Sequence, residues 1–351
     1  MTLPFTIDGH NDVLSKIAGS NAPDPLALFD TGTQDWHLDR PRMTAGGVLG
    51  GFFAIWGPSE HDATDYDGLM SQPEYDAPLP DALPQEVAMQ RSVMLASYLI
   101  QLEERGSLRI CRNAAELKRS CETGEIGAIM HMEGAEAIGP DLLALDLFYA
   151  AGLRSLGPVW SRNNIFCDGV PFRFPASPDT GGGLTEAGRA LVVRCNELGV
   201  LVDLSHMTEA GFWDVAKTSN APLVATHSCV HAICPHTRNL TDAQLRTIAD
   251  RGGVVGLNYA AQFLRPDGRR DPDIPLEQVL AHLDHMIDVM GEDCVALGSD
   301  YDGATVPRPI DGVEKIPALL STMEAHGYKQ DRITKIANAN WLRVLADTWG
   351  G

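Results

Sequence analysis

Cationic residues are scarce in this chain of 351 residues, with 27 Lys and Arg against 47 Asp and Glu and a net charge of −20. Nucleic acid and anionic membrane surfaces attract basic proteins, so neither is expected as a partner. No run of about 18 apolar residues occurs, which argues against a membrane-spanning helix. No basic stretch with an apolar core and a small-residue cleavage site opens the sequence, so no secretory signal is expected. The seven cysteines are odd in number and scattered. Even the nearest two, Cys229 and Cys234, have no second pair to complete a zinc ribbon. They read as buried thiols of a reducing cytoplasm. Phosphate loops are missing too: the glycine-rich stretch 45–56 has neither Gly-Lys-Ser/Thr nor a dinucleotide fingerprint.

Apolar content is ordinary at 44%, enough for a sizeable core. The length fits two ordinary domains or one α/β barrel, which runs long as a single domain. Eight short apolar stretches read as strands, at 5–12, 45–56, 126–134, 152–160, 200–206, 222–227, 253–259 and 294–300. Helical periodicity or start signals mark 84–105, 141–151, 184–198, 275–290, 313–326 and 330–348, and Thr208 caps a further helix. Residues 19–44, 57–83 and 161–183 carry Pro, Gly and acidic residues and read as loops. Strands alternating with helices predict an α/β fold, a (β/α)8 TIM-like barrel spanning 1–351 as a single domain. An open doubly wound sheet is the alternative.

In such a barrel the active site lies at the C-terminal ends of the strands. Here five of the eight strands end in His, Asp or Glu. The first gives His10 and Asp12, two apart and therefore on one face. The third ends in Glu133, the fifth in His206, the sixth in His227 and the eighth in Asp300. Packing offers no reason for that pattern. Three histidines and three carboxylates exceed the needs of one four-coordinate zinc. They suit a two-metal hydrolase, in which a carboxylate bridges cations about 3.5–4 Å apart. Glu133 is the natural bridge. Asp300 can orient the attacking hydroxide and carry its proton to a leaving amine.

In order along the chain stand His10-x-Asp12, Glu133-Gly134, Asp203-Leu204-Ser205-His206, Thr226-His227-Ser228 and Gly298-Ser299-Asp300-Tyr301-Asp302-Gly303. Together they resemble the membrane (renal-type) dipeptidase family of the amidohydrolase superfamily, over nearly the whole chain. The resemblance implies a metal-dependent dipeptidase with two Zn²⁺ or similar divalent cations. It implies His10 and Asp12 as ligands of one ion, His206 and His227 of the other, and Glu133 between them. It implies Asp300 as the proton carrier and Arg238 as a substrate contact, suited by its forked guanidinium to a dipeptide's carboxylate. It also implies a dipeptide substrate, acceptance of a D residue at the C-terminal side, and a homodimer as the candidate assembly.

One position departs from the family pattern. Where the family has a histidine after the fourth strand, this chain has Trp160, whose indole only donates. Arg162 is a candidate substitute. Among the other histidines, His131 reads as a core or supporting residue, and His231 and His236 as candidate pocket residues. His37, His61, His282, His285 and His326 read as surface or packing residues. Asp302 and Asp8 read as braces for the ligands or their loops. Two rival functions stand beside the dipeptidase. One is another amidohydrolase reaction, such as N-acyl-amino-acid deacylation or lactam opening. The other is a metal-binding protein without catalysis, for which a proton carrier at Asp300 has no use.

Overall fold

The structure is a computed structural model that describes residues 3–57 and 64–350. Its first strand, β1 (Thr6–Asn11), is buried at every residue, as a strand enclosed on both faces must be. Seven more parallel strands follow: β2 (Val48–Trp56), β3 (Gly127–Glu133), β4 (Leu153–Gly157), β5 (Leu201–Val202), β6 (Val224–Ser228), β7 (Val254–Leu257) and β8 (Val295–Leu297). β1 to β5 pair in sequence order as one sheet, and β6 to β8 as another. Two single parallel bridges, Asp203 with Val224 and Asn11 with Tyr301, join the sheets at both seams. The ring is therefore closed, and the open sheet is set aside.

Helices cover the strands and begin where the sequence provides caps. Thr185, Thr208 and Thr241 each accept a hydrogen bond from a backbone N–H of the first turn, and Thr241 completes a reciprocal box with Gln244. Helices Val13–Gly19, Tyr66–Met70, Ala114–Thr123, Asp242–Asp250 and Ala261–Leu264 lie outside the expected set. The expected loop 19–44 in fact contains helices Pro25–Thr31 and Arg40–Gly46, capped by Asp24 and Asp39. Pro25 and Pro41 sit in the first turns, where the missing N–H costs nothing. The strand expected over 200–206 shrinks to two residues, because Asp203 turns its carboxylate onto the backbone N–H of Thr226 (2.8 Å). His61 lies outside the described residues.

Toward the N-terminal ends of the strands, Ile7, Phe52, Ile129, Leu201, Val224, Val254 and Ala296 form one buried cluster, a residue from each of seven strands. Trp341 of the C-terminal helix Asn340–Trp349 fills its centre, with its indole N–H donating to Leu297 O at 3.0 Å. A Cβ on Gly9 would lie 2.7 Å from that indole and 2.3 Å from Thr226 O, so only glycine fits there. Above Trp341 the rings of Phe52, His131, His10 and His227 rise in a column, with centroids 3.9–6.2 Å apart. The column carries the core up to the C-terminal rim. Among the described residues, no helix is long and apolar enough to cross a membrane.

Candidate metal centre

β1 delivers His10 and Asp12 to the rim. Asp8 holds the strand in place from below, accepting from the backbone N–H and the hydroxyl of Ser299 at 2.6 and 2.8 Å. This clamps β1 to the end of β8 across the seam. His10 Nε2 stands 3.4 Å from Asp12 Oδ2 and 3.6 Å from Glu133 Oε2. Neither approach is aligned as a hydrogen bond, and both ring nitrogens of His10 lack a partner although fully buried. Orphaned buried nitrogens are rare and ask for a reason.

Glu133, at the end of β3, divides its carboxylate. Oε2 faces His10, while Oε1 lies 2.9 Å from His206 Nε2 and 3.6 Å from His227 Nε2. His206 and His227 turn their Nε2 atoms to one point, 3.1 Å apart. Their other ring nitrogens are held from outside. Ser161 Oγ lies 3.0 Å from Nδ1 of His206, and Thr226 Oγ1 lies 2.8 Å from Nδ1 of His227. Thr226 gives its single hydroxyl proton to Asp203 Oδ2 at 2.7 Å. Its oxygen can therefore only accept from His227, which fixes the proton on Nδ1 and leaves Nε2 with a free lone pair.

Charge makes the same demand. Burial opposes a positive His10, yet Glu133, Asp12 and Asp300 outweigh it and carry its pKa up to about 10. Burial raises the Glu133 carboxyl well above its usual range, against the pull of His10. Burial, then the charges of nearby cationic groups including Arg238, hold His206 and His227 well below the usual histidine value and therefore neutral. The carboxylates that draw positive charge onto His10 would draw a cation as well, and the neutral rings of His206 and His227 offer it lone pairs. The separations agree: ligands about 2.0–2.1 Å from one ion stand about 3.3 Å from each other in a tetrahedron. The residues present fit a divalent ion. His10, Glu133 and His227 form one converging set, and His10, Asp12 and Asp300 another.

Asp300 follows β8 at φ 60°, a left-handed turn that Asp tolerates better than most residues. Asn258, at the end of β7, donates to its Oδ2 at 2.9 Å. A Cβ at Gly303 would fall 2.2 Å from Asp12 Oδ2 and 2.6 Å from Asp300 Oδ1, so this glycine keeps the two carboxylates side by side. Burial and the charge of Asp12 raise the Asp300 pKa.

A cavity of about 300 Å³ opens over the cluster, lined by Asp12, Glu133, His206 and Asp300 and walled by Trp56, Trp160, Phe172 and Phe263. Trp160 packs on Trp56, with centroids 5.1 Å apart, and lies 5.9 Å from the ring of His206. Arg162 does not stand in for the family histidine: it is fully buried and tied to Glu136 at 3.0 Å. Arg238 sits deeper than its loop position suggested, only 3% exposed. Its guanidinium donates to Ser205 O, and to His227 O at 3.1 Å, and its Nη2 is 3.3 Å from His206 Nε2. The free carbonyls at the ends of two strands draw it inward.

His131 is buried beneath His10, between Ser155 Oγ (2.9 Å) and Asp203 (3.7 Å), and burial lowers its pKa to about 3. His236 is buried against Phe263, and His231 reaches Ala176 O, so neither lines the cavity. His282 bonds to Val230 N and Leu264 O inside the core, while His285 and His326 pair with Asp242 and Asp284. His37 belongs nearer the site than expected: its backbone N–H donates to Asp302 at 2.7 Å and its Nδ1 accepts from Asp302 N at 3.0 Å. Asp203 and Thr226 stand in the motifs of the sequence without a role of their own, and Asn258 and Arg270 were not singled out. A polar residue at or just past a strand end was the available signal for the first three.

A family model described as membrane dipeptidase (peptidase family M19) matches residues 2–349. A metallo peptidase from Rhodobacter sphaeroides, solved with a phosphinate mimic of the dipeptide L-Ala-D-Ala, is 51% identical. The match covers 99% of this chain and 100% of that one, with a TM-score of 0.97. The solved metallo peptidase dipeptidase AC is 50% identical over the whole of both chains, again at 0.97. An uncharacterized protein in the pqqA 5′ region of Klebsiella pneumoniae is 50% identical over 244 residues, 70% of this chain and 90% of its own. On a match that runs from one end to the other, the chain belongs to the membrane dipeptidase family, peptidase family M19, and is a metal-dependent dipeptidase.

Proposed function

We propose that this protein is a binuclear zinc dipeptidase that hydrolyses short dipeptides, including those with a D residue at the C-terminal side. The observation that carries the reading is the division of Glu133, whose Oε2 faces His10 while its Oε1 faces His206 and His227. His10 and Asp12 would hold one ion, His206 and His227 the other, and Glu133 both. When bound, the ions supply positive charge for the scissile carbonyl oxygen and lower the pKa of the attacking water.

The chain's own groups do the rest. Asp300, pinned through Oδ2 by Asn258, accepts the proton of the attacking water at its other oxygen. It returns that proton to the amine as the C–N bond breaks. Burial makes its carboxylate a better base than a free Asp. Arg238, carried over as a substrate contact from the family pattern, adds a positive charge beside His206 where the carbonyl oxygen turns negative. Trp160, Trp56 and Phe172 exclude water from one side of the substrate.

The D-residue part draws on the Rhodobacter sphaeroides metallo peptidase, whose ligand mimics L-Ala-D-Ala. A cytoplasmic location is in keeping with seven free, buried cysteines. The deciding experiment joins metal analysis to a substrate panel. About two zinc ions per chain are expected, together with turnover of free dipeptides far above that of N-acyl amino acids. A panel in which N-acyl amino acids win would replace the dipeptidase by a deacylase on the same centre.

A further inference from the structure

The ring of strands consists of two arcs, β1–β5 and β6–β8, and among the described residues a single bridge joins them at each seam. The candidate metal centre spans both seams. The long arc brings His10, Asp12, Glu133 and His206, and the short arc brings His227 and Asp300. What a strand ladder would supply at the seams is supplied by two aspartates of the long arc. Asp8 accepts from the backbone N–H and the hydroxyl of Ser299, at 2.6 and 2.8 Å. Asp203 accepts from the backbone N–H and the hydroxyl of Thr226, at 2.8 and 2.7 Å. In both pairs one carboxylate oxygen takes the N–H and the other takes the hydroxyl, and all four residues are buried. Ser299 immediately precedes Asp300, and Thr226 immediately precedes His227.

We propose that Asp8 and Asp203 are positioning residues that lock the short arc to the long one, Asp8 setting Asp300 and Asp203 setting His227. The inference rests on the dipeptidase reading for what Asp300 and His227 do. Hydrogen bonds to a carboxylate are roughly twice as strong as neutral ones. A metal or catalytic constellation tolerates only about 0.5 Å of slack, which a single bridge does not enforce. The locks also reach past the gripped residue. Ser299 Oγ accepts from Tyr301 N at 3.1 Å, and Asp300 N donates to His10 O at 3.0 Å, so the backbone on both sides of Asp300 is tied. Asp300 stands at φ 60°, a conformation that persists where the surroundings over-determine it. At the other seam Ser205 Oγ donates to Asp203 at 2.7 Å and accepts from His227 N at 3.1 Å. Asp203 therefore reaches the backbone of His227 through Ser205, and its ring through Thr226.

The experiment separates the two seams. Asp203→Asn no longer claims the hydroxyl proton of Thr226, so zinc affinity at His206 and His227 should fall by about 10- to 100-fold. Saturated with zinc, this variant should keep most of its kcat. Ser299→Ala removes the hydroxyl bond of the other lock and leaves the backbone N–H in place. Here kcat on a dipeptide should fall by about 10- to 100-fold with KM and zinc content unchanged, since a displacement of about 1 Å at a reacting group costs about 100-fold. Ser299→Thr returns the hydroxyl and should recover most of kcat. If Asp203→Asn does not fold, Thr226→Val cuts the same hydroxyl bond and is read in the same way. A purely structural staple would lower Tm in both variants and leave zinc affinity and the kcat of the zinc-loaded enzyme as in the wild type, which would overturn the proposal. Zinc loss in Ser299→Ala, with kcat intact once zinc is restored, would overturn the pairing of Asp8 with Asp300. A wild type that turns over no dipeptide would instead remove the dipeptidase reading, and zinc affinity in Asp203→Asn would still test the Asp203 lock.

Discussion

His206 and His227 are held from behind, whereas His10 is not. Ser161 and Thr226 lie within hydrogen-bond reach of the outer nitrogens of the first two rings. Asp203 completes the line behind Thr226. His10 makes no hydrogen bond through either nitrogen, and Asp12 leaves Oδ1 without a partner. The β1 half of the centre is placed by its backbone, by the Asp8–Ser299 clamp and by ring packing on His227 at 3.9 Å. Outer hydrogen bonds set the tautomer and aim of a metal-binding imidazole. The half built on β5 and β6 is therefore aimed before an ion arrives, while the β1 half depends on the ion to fix its ring. The first should bind more tightly, and its ion should be the last removed by a chelator.

Glu133 belongs to both halves, and its loss should abolish the contrast. Glu133→Gln keeps the shape and removes the charge shared by the two groups of ligands. Both ions should be lost together, and activity should fall by more than about 10³-fold, beyond the loss of one oxyanion donor. Metal content by atomic spectroscopy and kcat/KM on one dipeptide check this. Full loading with full activity would end the bridging assignment.

Asp300 tests the contrast from a different side, because it supplies a proton carrier to the centre as a whole. Asp300→Asn should reduce kcat by about 10²–10⁴-fold, while both ions stay bound. If the β1 half empties in this variant, Asp300 is one of its ligands, a role its place beside His10 and Asp12 would allow.

The barrel and the converging ligands were legible in the sequence for one reason. Strands buried on both faces are apolar throughout, so a His or carboxylate at each C-terminal end stands out against its own strand. Asp8 and Asp302 read as braces, but the partners that they hold were not legible. His37 meets Asp302, and Asp8 meets Ser299, across 265 and 291 positions, and no local pattern announces such pairs. Asp24 and Asp39 start helices, but the nearby prolines read as loop signals because position within a helix decides what a proline does. Arg238 lies in the loop after His227, and nothing local marks it as buried. Its depth follows from two strand-end carbonyls that the sequence does not reveal.

Thr226→Val addresses the contrast most directly. Valine keeps the volume and removes the oxygen that orients His227. Removing such an outer partner typically costs about 10–100-fold in metal affinity. The loss should fall on the ion held by β5 and β6, bringing it down to the affinity of the β1 half. Competition with a zinc chelator, read as two separate release steps in the wild type, should merge into one. Unchanged affinities in the variant would show that the outer hydrogen bonds contribute nothing and that the two halves are equivalent.

The smallest effect is expected at Trp160, and it concerns the half-site's cover and not its ligands. The Trp160 ring lies 5.9 Å from His206 and packs against Trp56 and Phe172 at 5.1 and 6.0 Å. It gives the β5–β6 half an apolar roof. Trp160→Ala would take away one aromatic contact and admit water beside His206. One such contact is worth about 0.5–1.5 kcal/mol, so KM should rise by about 2- to 10-fold with metal content unchanged. Trp160→His separates cover from chemistry. If the roof is what matters, the imidazole should behave like a smaller wall, with KM raised and kcat steady. If an imidazole is what the reaction needs at this place, kcat should rise in Trp160→His above the wild type. That outcome would mean that Trp160 limits this enzyme, and that the hold on the carbonyl is incomplete on the side where the ligands are best braced.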